Sequence, residues 1–203
     1  MRDTIKFILK NSIIFATVSF GFSIIGGLFP SSEHTFVIGN PLVVSGITIE
    51  HIMGHIFWGA VIGLATLSIR YIILGGSFAI LLDADHLLQF LDIELVSRMS
   101  HSIPFAIIAS VIFFLIFRGR DIRICVVAFA AVLSHIAFDT FLAYVTFGSY
   151  TKFPLFSPFT FETVKLQGLD WLGIQIIGVV SVAVVSYLYK RKKTRVENNV
   201  TKT

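Results

Sequence analysis

The sequence predicts an all-α protein, a polytopic transmembrane helical bundle of about six membrane segments, one of them short or broken. Three observations carry that expectation. The 203 residues are 55% hydrophobic and only 14% charged, and the mean hydropathy of +0.86 suits a lipid-facing chain better than a soluble core. The apolar residues gather into runs close to the length a helix needs to cross a bilayer. The 16 Lys and Arg residues sit at the ends of those runs. A basic balance distributed in this way reports membrane orientation and argues against a nucleic-acid partner.

The runs are Ser12–Phe29, His51–Ile69, Tyr71–Leu82, Ile103–Phe117, Ile122–Phe147 and Leu169–Tyr189. The first has a basic flank but no small-residue cleavage signal after it, and reads as a retained anchor. Tyr71–Leu82 is the short one, reaching only ~18 Å as a helix. It is completed by the polar stretch after it or ends inside the protein. Residues 1–193 read as a single domain, with the motif-bearing core at 50–159 and a polar, disordered cytoplasmic tail from Thr194 to the end. The lone Cys125 leaves no disulfide framework and no cysteine-based zinc motif.

Orientation follows from the cations. With a cytoplasmic amino terminus and six crossings, 13 Lys and Arg residues fall inside and only Arg98, Lys152 and Lys165 fall outside. That bias places both termini in the cytoplasm. The residues that carry chemistry then converge on the outer face. His51 and His55 open the second run, four apart and therefore on one helix face. Asp83, Asp85 and His86 follow the third run, and His101 precedes the fourth. His135 and Asp139 lie one turn apart near the outer part of the fifth. Ionisable groups at membrane depth are costly and usually mark function. Imidazole mixed with carboxylate suits zinc, manganese or iron, and this many ligands allow two or more ions.

Four of these clusters occur in a recognisable succession. His55-Ile-Phe-Trp-Gly59 is followed by Leu81-Leu-Asp-Ala-Asp-His86, Arg98-Met-Ser-His-Ser102, and Ser134-His-Ile-Ala-Phe-Asp139, with Pro154-Leu-Phe-Ser-Pro-Phe159 beyond them. The succession resembles the YdjM-like membrane-bound metal-dependent hydrolases, over roughly Glu50 to Phe159. The resemblance implies a metal set of His55, Asp83, Asp85, His86, His101, His135 and Asp139. Through a distant similarity to zinc-dependent phospholipase C, it also implies hydrolysis of a phosphoester. Leu82 stands where the family pattern has Pro. Val96 stands where it has the first His of a His-Arg-Gly motif, and His51 is an additional histidine able to replace that ligand.

The expected activity is therefore an outward-facing, metal-dependent hydrolase of a lipid or lipid-linked phosphoester. Zinc is the first-choice metal, and Asp83, Asp85 and Arg98 are the catalytic candidates. Arg98 either stabilises negative charge on the substrate or pairs with Asp92 or Glu94. Ser102 reads as a helix cap, Trp58 and Trp171 as lipid-facing or interfacial. The segment Lys152–Phe159 reads as a lid or a membrane-hugging connection. A divalent-metal transporter or sensor is the first alternative, although such proteins tend to show internal repeats and midplane sites. A diiron lipid desaturase would need more histidines, facing the cytoplasm. An inactive membrane scaffold is the remaining class. Sequence alone leaves the oligomeric state open.

Overall fold

The computed structural model describes residues 2–28, 48–91 and 98–200. These residues form six α-helices: α1 (Arg2–Gly27), α2 (Ile49–Leu64), α3 (Ile69–Leu81), α4 (Ile103–Phe117), α5 (Ile122–Phe147) and α6 (Asp170–Val200). A 3-10 helix, Leu82–Leu91, continues α3, and a two-stranded hairpin joins α5 to α6. The all-α membrane bundle is thus observed. α1, α5 and the Asp170–Arg195 part of α6 are long and apolar enough to cross a membrane, whereas α2 and α4 are shorter apolar helices. His34, Asp92, Glu94 and Val96 lie outside the described residues.

α5 is the centre of the bundle. Its spanning window is 78% buried, against 28% for α1 and 22% for α6, and α2, α3, α4 and α6 all pack on it. The sequence explains this position: Val127-Ala-Phe-Ala-Ala131 offers small side chains that let neighbouring backbones come close. The outer helices instead present large apolar residues such as Leu9, Ile13, Ile177 and Val184 at 50% exposure or more. Such a surface is expected where the surrounding solvent is lipid.

α2 and α3 form a hairpin tighter than ordinary side chains allow. Gly59 and Gly63 are spaced Gly-x3-Gly on α2 and meet Gly75 and the Tyr71 backbone of α3; a Cβ at any of these three glycines would collide with main-chain carbonyl oxygens. The turn is closed by Thr66, whose hydroxyl donates to the Gly63 carbonyl (2.8 Å) and accepts from the Ser68 amide (3.2 Å). The hairpin returns the chain so that the start of α2 lies beside the end of α3. α1 docks on α3 and α4 through a run of aromatic rings. Phe15 stacks on Phe78 at 4.4 Å and meets Phe105 edge-on at 5.9 Å, each pair worth about 1 kcal/mol beyond area burial.

Two expectations are corrected here. The tail from Thr194 is helical as far as it is described: α6 runs on to Val200, because Lys190–Arg195 contains no helix breaker and follows a long preformed helix. Trp58 and Trp171 do not simply face lipid. They are half-buried against each other (5.3 Å) and against Phe141, where α2, α5 and α6 meet.

Candidate metal centre

Each element delivers its ligands with local support. Thr48 caps α2 by accepting from the His51 amide (3.2 Å), so the helix starts just ahead of its two histidines. Gly54 lets α2 approach α5, since a Cβ there would overlap the Phe138 ring; that ring packs against His55 at 4.7 Å. The change from α-helix to 3-10 helix at Leu82 turns Asp83, Asp85 and His86 inward, all buried. Ser102 caps α4 by accepting from the Phe105 amide, as its position predicted, and holds His101 at the mouth of that helix.

Asp83 is the hub of the cluster. Its Oδ1 lies 3.3 Å from His135 Nε2, 3.5 Å from His101 Nε2 and 3.6 Å from His86 Nε2. Its Oδ2 lies 3.5 Å from His55 Nε2 and 3.6 Å from His51 Nε2. Asp139 sits across from it, with Oδ1 at 3.2 Å from His55 Nε2 and Oδ2 at 3.5 Å from His135 Nε2. The His55 and His135 rings stack at 3.8 Å. Every metal candidate read from the sequence is therefore in one place, including His51, and four triads among these residues have ligand atoms within 4.8 Å of one another. Asp85 joins only through the triad with Asp83 and His86.

The donor set fits a cation. A carbonyl oxygen can only accept, so the 2.8 Å contact between His135 Nδ1 and the Ala79 carbonyl places a proton on Nδ1 and leaves Nε2 as the nitrogen that could ligate a metal. That Nε2 faces His101 Nε2 at 3.0 Å, and His51 Nε2 faces His55 Nε2 at 2.9 Å. Asp83 Oδ2, Asp85 Oδ1 and Asp139 Oδ1 are buried without a hydrogen bond. Buried carboxylate oxygens left without a hydrogen bond are expensive in a protein interior, and a divalent ion is one group that could satisfy them together. Contacts of the kind that orient metal ligands are also present: beside the Ala79 carbonyl, Ser100 Oγ lies 3.2 Å from His101 Nδ1.

The pairing of Arg98 with Asp92 or Glu94 lies outside the described residues; among the described ones its Nη2 lies 3.4 Å from Asp139 Oδ2, and its guanidinium lies 5.0 Å above the Phe153 ring. Arg98 holds a left-handed backbone (φ 50°), unfavourable for a residue with a Cβ by about 1 kcal/mol, at the edge of the cluster and 20% exposed. Phe153 belongs to the hairpin β1 (Thr151–Phe153) and β2 (Val164–Leu166), which the sequence analysis missed. The Lys152–Phe159 segment is accordingly more than a surface connection. Phe153 lies parallel to His101 at 5.9 Å, and the Leu155 carbonyl accepts from the Ile103 amide (2.9 Å). Only Lys152, Phe156 and Phe159 of that stretch are exposed.

Sequence reasoning read α1 as an anchor and missed its contact with the cluster. Ser23 is fully buried and donates to Asp85 Oδ2 at 2.7 Å, and lies 3.0 Å from Ser100 Oγ. The signal was present as a periodic one: Ser12, Ser19 and Ser23, with Phe15, recur on one helical face that the structure turns inward.

No curated protein and no solved structure matches the chain. The family model of the YdjM inner membrane protein matches residues 47–200, which takes in every cluster residue from His51 to Asp139 and leaves α1 outside. On that match, this chain belongs to the YdjM inner membrane protein family.

Proposed function

We propose that this chain is a membrane-embedded, metal-dependent hydrolase that cleaves a phosphoester of a lipid or lipid-linked substrate. One observation carries the proposal: five imidazoles and two carboxylates from four separate segments meet around Asp83, buried and short of hydrogen-bond donors. His51, His55, His101, His135, Asp83 and Asp139 would hold the metal, with Asp85 and His86 extending the set toward a second ion. The mixed nitrogen and oxygen donors favour zinc, with manganese or iron next. A bound ion supplies Lewis-acid polarisation and lowers the pKa of water near neutral pH.

The residues supply the rest. Arg98, held over Phe153 at the edge of the cluster, binds the negatively charged group of the substrate. A carboxylate oxygen of Asp83 or Asp85 that is not engaged by metal takes the proton of the attacking water. The hairpin and Phe153 cover one side and exclude bulk water, while the apolar surroundings favour a substrate that arrives within the lipid phase. The distribution of Lys and Arg supports an outward-facing site with cytoplasmic termini.

The test is elemental analysis of the detergent-purified protein beside the Asp83→Ala/His135→Ala double variant, followed by assay on phospholipid phosphoesters. Stoichiometric metal lost in the variant, with turnover that follows the metal, is the expected result. Metal without turnover on any phosphoester would point instead to a metal sensor or scaffold. A cysteine introduced at Glu94 should react with an impermeant thiol reagent from outside; labelling only from inside would reverse the orientation.

A further inference from the structure

Beyond the turn that ends α4, on the side of the bundle away from the histidines, lies a cavity of about 410 Å³ between that turn and the end of α6. Arg120, Lys192 and Lys193 line it together with Ile122, Leu188 and Tyr189, and none of the described residues lining it is acidic. Gly119 (φ 67°) lines it as well and follows the left-handed Arg118 (φ 50°), a tight reversal at the end of α4. Its wall is fixed: Tyr189 lies under the Arg123 guanidinium at 4.2 Å, and Arg123 is itself held by Asp121 at 2.8 Å.

An apolar track leads away from this cavity. Val180, Val184 and Leu188 recur every fourth residue along α6, each 50–52% exposed, and Lys192 follows at the same spacing. One face of the helix therefore runs from hydrocarbon to cation over about 18 Å. A soluble anion would use the cations and leave the track bare. A diacyl lipid uses both.

We propose that this cavity is a binding site for the phosphate headgroup of an anionic phospholipid, with Arg120, Lys192 and Lys193 around the phosphate and an acyl chain along Val184 and Val180. Basic pockets between helix ends at a membrane surface recognise such headgroups by charge and shape. The site is separate from the histidine cluster and does not depend on what that cluster does: His101 precedes α4 and the cavity follows it, ~22 Å further along.

Thermal unfolding of the full-length protein in neutral detergent, at physiological ionic strength, tests it. Micelles doped with phosphatidylglycerol should raise the midpoint by about 5 °C at saturation. Phosphatidylcholine should have little effect. The shift should vanish in Arg120→Gln/Lys192→Gln/Lys193→Gln and persist in Lys190→Gln/Arg191→Gln, which removes two charges from the same helix outside the cavity. An equal loss in both variants would overturn the site in favour of diffuse attraction. The same shift from phosphatidylcholine would reduce it to apolar packing, and the same shift from inorganic or glycerol phosphate would make it a soluble-anion site. Mass spectrometry of lipid retained through purification gives a variant-independent check: no enrichment of anionic over zwitterionic lipid would also overturn the proposal.

Discussion

Two carboxylate clusters lie at opposite ends of α5, and they are built on contrary principles. At its start Asp121 caps the helix and spends both oxygens on donors. Tyr71 Oη donates to it at 2.6 Å, Arg123 binds it in a two-pronged fashion at 2.9 and 2.8 Å, and Arg70 stands 3.9 Å away. Burial raises the Asp121 carboxyl, but the hydrogen bonds from Arg123 and Tyr71 outweigh it and hold the group below the usual carboxylate range. Eighteen residues on, Asp139 and its partner Asp83 keep oxygens without a hydrogen bond among imidazoles whose nitrogens face one another. The first cluster is closed and ties α3 to α5. The second is open and has room for a cation. Saturated donors mark a structural role, and a surplus of acceptors marks a binding one.

The largest effect that would break this contrast is at the hub. Asp83→Ala should abolish metal retention, taking bound metal from stoichiometric to background in elemental analysis, while the purified protein stays helical by circular dichroism. Retained metal would mean that the imidazoles suffice without the carboxylate. The mirror experiment at the closed end should do the reverse. Asp121→Asn should keep its metal yet lose about 2 kcal/mol of stability, the cost of hydrogen bonds to a charged group. Because the folded carboxyl lies below its ordinary value, that penalty is full above pH about 4 and shrinks as pH falls further; unfolding midpoints compared at neutral and acid pH would show it.

Smaller changes sharpen the contrast. Ser23→Ala removes the donor to Asp85 while replacing no member of the four triads. Metal affinity should fall about tenfold, at the low end for second-layer partners, with little change in melting; competition against a chelator measures it. An unchanged affinity would demote α1 to a plain anchor. Tyr71→Phe is the mildest test, expected to cost about 1 kcal/mol for one neutral donor and to leave metal content alone.

The membrane class and the residues of the histidine-aspartate cluster were legible because both rest on residue type. A histidine or aspartate inside an apolar run stands out whatever the fold does with it. His51 could be suspected as an extra ligand because its spacing to His55 places both on one face. What escaped depends on tertiary placement. Serine is common in membrane helices, so the periodic face of Ser12, Ser19 and Ser23 did not point to the cluster until α1 was seen to cross the Asp85 turn. The hairpin strands are only three residues long and too short to declare an alternating pattern. Arg98 could not be assigned, since its partner Asp139 lies 41 residues away. The helical continuation past Thr194 was hidden by charge, which reads equally as a solvated helix or a loose tail.

The central place of α5 bears on how the chain is made. Four helices precede it in order of synthesis, yet each of the three that touch it, α2, α3 and α4, reserves a face for it. Until residue 147 has entered the membrane, those faces stay unfilled and Asp83 lacks His135. The nascent bundle must therefore persist as a loose cradle that is then threaded by its own core. Chains halted before and after α5 should differ sharply in protease resistance, and an equal resistance would show that the cradle is already closed without it.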